Sequence, residues 1–294
     1  MRRHTTAGYD SRGVAPRLPT FALFALVTAS TACATLAREP WVLDSASMRT
    51  EPVARAAWVA TWPQALASVL DVFQREWRFP RLDVRLVFLP DDATFERLLL
   101  EIGYSPELAR NSVATMRAIG GHRRVLINES RLDDDEWPAR VGLLAHELTH
   151  VLQYELGGGT RGQSDQWLRE GFADWIETGV LARLGAVDAA QLRTDVRRRL
   201  RSTRADRYPP LLELATFPNW VTENRRRPGA DLYAEAAVAV TILVERHGIE
   251  RVLDYFGRFA ARQARAANFQ EAFGESLEAF DRAFRTEVWG NPEG

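Results

Sequence analysis

LLAHELTHVLQYELGGG, Leu143 to Gly159, is the stretch on which the reading of this chain turns. Val141, Leu144, Leu148 and Leu152 recur at helical spacing and form one apolar stripe, which predicts a buried helix. The acidic run Asp133 to Glu136, followed by Pro138, opens that helix, because carboxylates favour the positive end of the helix dipole. Gly157-Gly158-Gly159 ends it. Two of the chain's five histidines stand inside it. Four residues advance a helix by about 400°, so His146 and His150 lie about 40° apart on one face, one turn from each other. Glu147 is rotated about 100° from His146. Two imidazoles so placed reach one ion, and Glu147 is placed to take a proton from water activated by it. Two histidines and a glutamate in a buried helix are costly without such a purpose.

Zinc in such a site takes a third protein ligand and leaves a fourth position open. QWLREGFADW, Gln166 to Trp175, offers Glu170, with room between it and His150 for the glycine loop and a return on a second helix. Asp174 lies one turn beyond Glu170 on the same face. It suits the role of the carboxylate that accepts a ligating histidine's other N–H and fixes the ring. The blander reading of this pair is two solvent-facing charges on a surface helix. The blander reading of the whole is a helical protein that binds no metal.

HELTH, followed some twenty residues on by WLREGFADW, resembles the gluzincin metallopeptidases, in particular the bacterial peptidase-MA-like group. The resemblance is specific over Trp137 to Trp175 and looser from there to the C-terminus. It implies that His146, His150 and Glu170 bind zinc, that Glu147 is the general base, and that Asp174 is the supporting acid. The substrate motif G-x-M-E-N of the related aminopeptidases is absent, so an aminopeptidase is not implied. By the same likeness Tyr233, at the start of a later helix, is the donor to the oxyanion, with His247 and Tyr154 as alternatives. The strand Arg124 to Asn128 is expected, by analogy of fold, to run above the site and pair with an extended substrate.

The rest of the chain sets the frame. Its 294 residues have a formal net charge of −1, which gives no reason to expect nucleic acid as a partner. All 38 basic residues are arginine. The runs Arg197 to Arg204 and Arg225 to Arg227 read as solvated faces. Near the N-terminus, Arg2, Arg3, Arg12 and Arg17 precede the apolar run Phe21 to Val27 and the small-residue stretch TASTACATLA. This is the pattern of a secretory signal over residues 1–34, and its apolar run is too short to span a bilayer as a stable helix. Two cleavage readings stand side by side. One is a lipoprotein signal cut before Cys33, the only cysteine, with membrane attachment through its lipidated sulfur; the other is ordinary cleavage after Ala34. Either exports the mature chain to the periplasm or cell envelope, without an internal disulfide.

Residues 35–55 read as a linker and 56–294 as one domain, its site lobe reaching to about 185 and a helical lobe following. Helices are expected over Trp62 to Trp77, ATFERLLLEIG, Trp167 to Leu184, from near Asp188, over Asp231 to His247, Ile249 to Ala266 and Ser276 to Trp289. Asn268-x-x-Glu271 reads as a capping box for one more. Strands are expected over Asp83 to Pro90 and on either side of Gly120-Gly121, while Tyr208 to Gly229 reads as irregular. Strands first and helices afterwards make the fold class α+β, a small sheet with the HExxH helix and a helical C-terminal subdomain. The function expected is that of a zinc-dependent metallopeptidase, a hydrolase of peptide or protein substrates. The alternative is a cell-envelope zinc-binding scaffold or binding lipoprotein of the same fold without turnover.

Overall fold

Trp41–Asp44 forms the first strand, β1, in the stretch expected to be a linker. The computed structural model describes residues 39–159 and 164–290; the signal segment and Cys33 lie outside the described residues. The linker expectation fails at β1 because four residues with Trp41 and Val42 exposed carry no alternation to read. The strand is anchored by pairing antiparallel with Arg85–Leu89 (β2), and Trp41 stacks on Phe88 at 3.7 Å between ring centroids. Between these strands lies Trp62–Trp77 (α1), which keeps the expected bounds. Its start is capped by Thr61, whose side chain accepts from the Gln64 N–H, and Leu66, Val69 and Phe73 fall on its buried face.

Two helices follow β2: Asp92–Glu101 (α2), capped by Asp91, and Pro106–Thr115 (α3), capped by Ser105. The sequence reading omits α3. Next come Ala118–Gly121 (β3) and Arg124–Asn128 (β4), joined by His122 and Arg123, with Arg123 in the left-handed conformation. The turn thus falls after Gly120-Gly121, which belong to β3. The sheet order is β1-β2-β4-β3, with β2 and β4 parallel and the other pairs antiparallel. Alternation divides its faces. Leu86, Phe88, Val125 and Ile127 join the main core, while Leu89 and Leu126 meet Phe95, Leu99 and Val113 of α2 and α3 on the other side.

The main core continues under Trp137–Leu156 (α4) and Gln166–Arg183 (α5). Val141, Leu144, Leu148 and Leu152 of α4 are all buried, as the stripe requires. Ala189–Arg201 (α6) starts at Asp188 and Phe217–Arg226 (α7) at Thr216, each cap accepting a backbone N–H. The second of these corrects the irregular reading of 208–229. Leu232–His247 (α8) and Ile249–Gly257 (α9) follow. The helix expected to reach Ala266 stops early, giving way to a 3-10 turn that ends with Arg262 left-handed. Arg265–Phe273 (α10) contains Asn268 in its buried interior, so the capping-box reading is wrong: the residue at the N-cap is Ala264. Leu277–Trp289 (α11) closes the fold, capped by Ser276. The class is α+β, mostly helical, with a small mixed sheet. The arginine runs meet acids, among them Arg199 with Asp231 and Arg227 with Glu223. No helix among the described residues is long and apolar enough to cross a membrane.

Candidate metal centre

α4 and α5 lie side by side, and the faces they turn to each other carry the polar groups. From α4 come His146 and His150; from α5 comes Glu170, with His150 and Glu170 buried. The Glu170 Oε2 atom stands 3.5 Å from His146 Nε2 and 3.7 Å from His150 Nε2. These spacings exceed a good hydrogen bond, about 2.7–3.2 Å. They are close to the roughly 3.4 Å that separates two ligands of one tetrahedral ion bound at about 2.0–2.1 Å. The donor set of two imidazoles and a carboxylate is one that zinc accepts.

The other ends of these groups are fixed. His146 Nδ1 is 3.0 Å from Asp174 Oδ1 and 3.6 Å from Glu177 Oε2. His150 Nδ1 donates to Gln153 Oε1 at 2.9 Å, and Gln153 in turn donates to the Arg169 carbonyl at 3.0 Å. With each Nδ1 side engaged by an acceptor, each Nε2 is the nitrogen turned toward Glu170, the one whose lone pair a metal ion would take. Gln166 donates to Glu170 Oε1 at 2.6 Å and leaves Oε2 to face the histidines. Asp174 thus stands where the sequence reading expects it. Gln153, Gln166 and Glu177 are partners that reading missed. A residue one turn beyond a motif residue shares its face, which Gln153 does with His150 and Glu177 with Asp174.

Electrostatics of the cluster call for positive charge. Burial alone pushes His146 down, but Asp174, Glu170 and Glu177 more than reverse it, so His146 is held well above its ordinary value. Burial would raise Glu170, but the charges and hydrogen bonds of His150 and His146 overcome it and drive the carboxyl far down. Asp174 is raised by burial despite its pairing with His146. The acids round the two imidazoles thus favour positive charge there, which a proton on His146 supplies and a bound cation would supply equally.

Glu147, also buried, points to the sheet, where its Oε2 accepts a hydrogen bond from the Gly120 N–H of β3. The approach is close: a Cβ at Gly120 would meet the Glu147 carbonyl and would lie 2.8 Å from His150 Cβ. β3, not β4, is therefore the strand at the site. β4 is flanked by β2 and β3 and has no edge to offer, which overturns the expectation that Arg124 to Asn128 pairs with substrate. Asn128 donates to the Arg117 carbonyl, so by antiparallel alternation Ala118 and Gly120 turn their backbone groups away from β4.

That outer edge borders a cleft of about 810 Å³, lined by His146, Glu147, His150, Glu170, Ala118 and Tyr233 among others. Tyr233 sits in the first turn of α8, edge-on to Trp220 at 5.1 Å between ring centroids. Although the residue as a whole is partly exposed, desolvation at its hydroxyl, aided by the charge of Glu170, raises its phenol, so it stays protonated and a donor at neutral pH. Tyr154 lines the same cleft. His247 is placed elsewhere, 3.5 Å from Glu275, and takes no part in this site. His122, without a partner in the sequence reading, lies 3.8 Å from Glu155.

No model of a known protein family, no curated protein and no solved structure matches the chain. What the site can do follows from its own atoms: three candidate ligand atoms within 4.8 Å of one another, a carboxylate beside them, a phenol donor, and a strand edge along a cleft that no other strand among the described residues covers.

Proposed function

We propose that this protein is a zinc-dependent metallopeptidase of gluzincin type, with His146, His150 and Glu170 as its metal ligands. The observation that carries the reading is Glu170 Oε2, at 3.5 and 3.7 Å from two Nε2 atoms whose rings are held by their Nδ1 sides. A bound zinc ion supplies a more acidic water and a Lewis acid for the scissile carbonyl. Glu147 accepts the proton of the attacking water and passes it to the leaving amine. The Gly120 N–H holds the Glu147 carboxylate toward the sheet. Tyr233 donates its hydroxyl to the oxyanion. The substrate is a peptide or protein segment, laid extended along the outer edge of β3, where Ala118 and the Gly120 carbonyl offer pairing groups. Asp174 holds the His146 ring. The N-terminal export pattern, with Cys33 as its lipid-bearing residue or not, puts this activity in the cell envelope.

Glu147 favours turnover over a scaffold role, because its buried carboxylate lines the same cleft as the ligands without being one of them, beyond its tie to the Gly120 N–H. The test is metal analysis of the purified protein together with cleavage of a mixed peptide library, before and after chelation. One equivalent of zinc and cleavage lost on chelation and restored by zinc are expected. Zinc without cleavage would leave the scaffold, and absence of metal would end the reading.

A further inference from the structure

Glu177 has no part in the mechanism above, yet its Oε2 lies 3.6 Å from His146 Nδ1, beside the Asp174 oxygen at 3.0 Å. It stands one turn beyond Asp174 and two beyond Glu170 on α5, so all three face α4. The facing position on α4 is Gly142, one turn before His146. A Cβ built there would lie 2.7 Å from Glu177 Oε1 and 3.4 Å from its Cδ. Any larger residue at 142 thus competes with the Glu177 carboxylate for one space. Glycine in the middle of a helix costs up to about 1 kcal/mol relative to alanine. Here that cost coincides with the path of a carboxylate to a histidine.

We propose that Glu177 is a positioning residue of the metal centre: with Asp174 it forms a pair of carboxylates that hold the His146 ring with Nε2 toward Glu170, and Gly142 clears its path. The inference rests on the metal-binding reading of His146, His150 and Glu170. Asp174 is within hydrogen-bond distance of Nδ1, while Glu177 is slightly beyond it. Glu177 therefore acts by limiting the swing of the ring and by adding negative charge behind it. Both make the ring a better donor on its far side.

The test is a double-mutant cycle read as zinc affinity, by competition with a chromophoric chelator, with thermal unfolding of each apo-protein alongside. Glu177→Ala should weaken zinc binding about 10–100-fold, the usual range for losing such a partner. Gly142→Ala should weaken it in the wild-type background and have no further effect in Glu177→Ala. Leu181 Cδ1, 3.2 Å from the same built Cβ, is present in both backgrounds and cancels. Because alanine favours the helix, Gly142→Ala provides a variant expected to fold even if Glu177→Ala does not. Glu177→Asp should recover part of the affinity. Zinc bound tightly and equally by wild type, Glu177→Ala and Gly142→Ala would overturn this inference and leave the metal centre standing, as would penalties that simply add. A wild-type protein that binds no zinc would remove the metal centre and this inference with it.

Discussion

Gly120→Ala is the smallest change that tests the junction of β3 with the histidine helix. The added methyl would meet the Glu147 carbonyl, His150 Cβ at 2.8 Å and Glu147 Oε2 at 3.1 Å. The first two belong to the α4 frame and cannot rotate away. Carbon atoms rest about 3.5–4.0 Å apart, so the contact with His150 Cβ is short by roughly 1 Å. Strand and helix must part by about that much. Overpacking of this kind costs about 1–3 kcal/mol, and in a domain of this size 1 kcal/mol moves Tm by about 2–4 °C. The expected fall is therefore roughly 2–12 °C in the thermal unfolding of the apo-protein. The same displacement draws the Gly120 N–H away from the Glu147 carboxylate. A misplacement of about 1 Å at a reacting group costs about 100-fold in rate, so kcat for peptide hydrolysis should drop by about that factor. A Gly120→Ala protein with wild-type Tm and turnover would refute the close approach and, with it, the placing of Glu147 by β3.

Three further outcomes follow from the same geometry. Tyr233→Phe should retain zinc and lower kcat by about 100- to 1,000-fold, the range for one oxyanion donor; unchanged kcat would assign that role elsewhere. Gln153→Ala removes the acceptor of His150 Nδ1, and zinc affinity measured by chelator competition should fall about 10–100-fold. Asp165 supplies a pH dependence: burial holds its carboxyl at about 6 against an ordinary 3.8, although Tyr255 and Arg265 pull it down. The folded protein keeps this proton between about pH 4 and 6, where the unfolded chain has lost it. The contribution to stability is therefore full below that window and is lost as pH rises through it. The difference is worth roughly 3 kcal/mol. In denaturant titrations at pH 4 and pH 7, Asp165→Asn should remove that share of the decline, and an identical pH profile in the variant would count against it.

Much of this was legible because local signals and burial agree. Helix α1 keeps the bounds that Thr61, Pro63 and the apolar spacing give it. The pairing of HELTH with Glu170 and Asp174 follows from helical geometry once two antiparallel helices are assumed, and the four side chains do converge. What escaped the reading depends on facts between elements. Strand order cannot be seen in the chain, so the apolar VLI of β4 outranked the shorter, glycine-containing β3 that holds the edge. Helices α3 and α7 each open with a hydroxyl cap and a proline in the first turn, which were readable, but their polar interiors hid the apolar stripe. Asn268 resembled a cap in sequence, yet it is buried in the middle of α10. Gln153, Gln166 and Glu177 went unread because amides and surface-type acids carry no chemistry until a histidine or carboxylate is set beside them.

In the proposed function His146, His150 and Glu170 bind zinc while Glu147 moves the proton. The most direct measurement takes wild type and Glu147→Gln through metal analysis and peptide hydrolysis together. One equivalent of zinc is expected in both proteins, with hydrolysis lowered about 100- to 10,000-fold in the variant. Equal hydrolysis by the two proteins, or no zinc in the wild type, would contradict it.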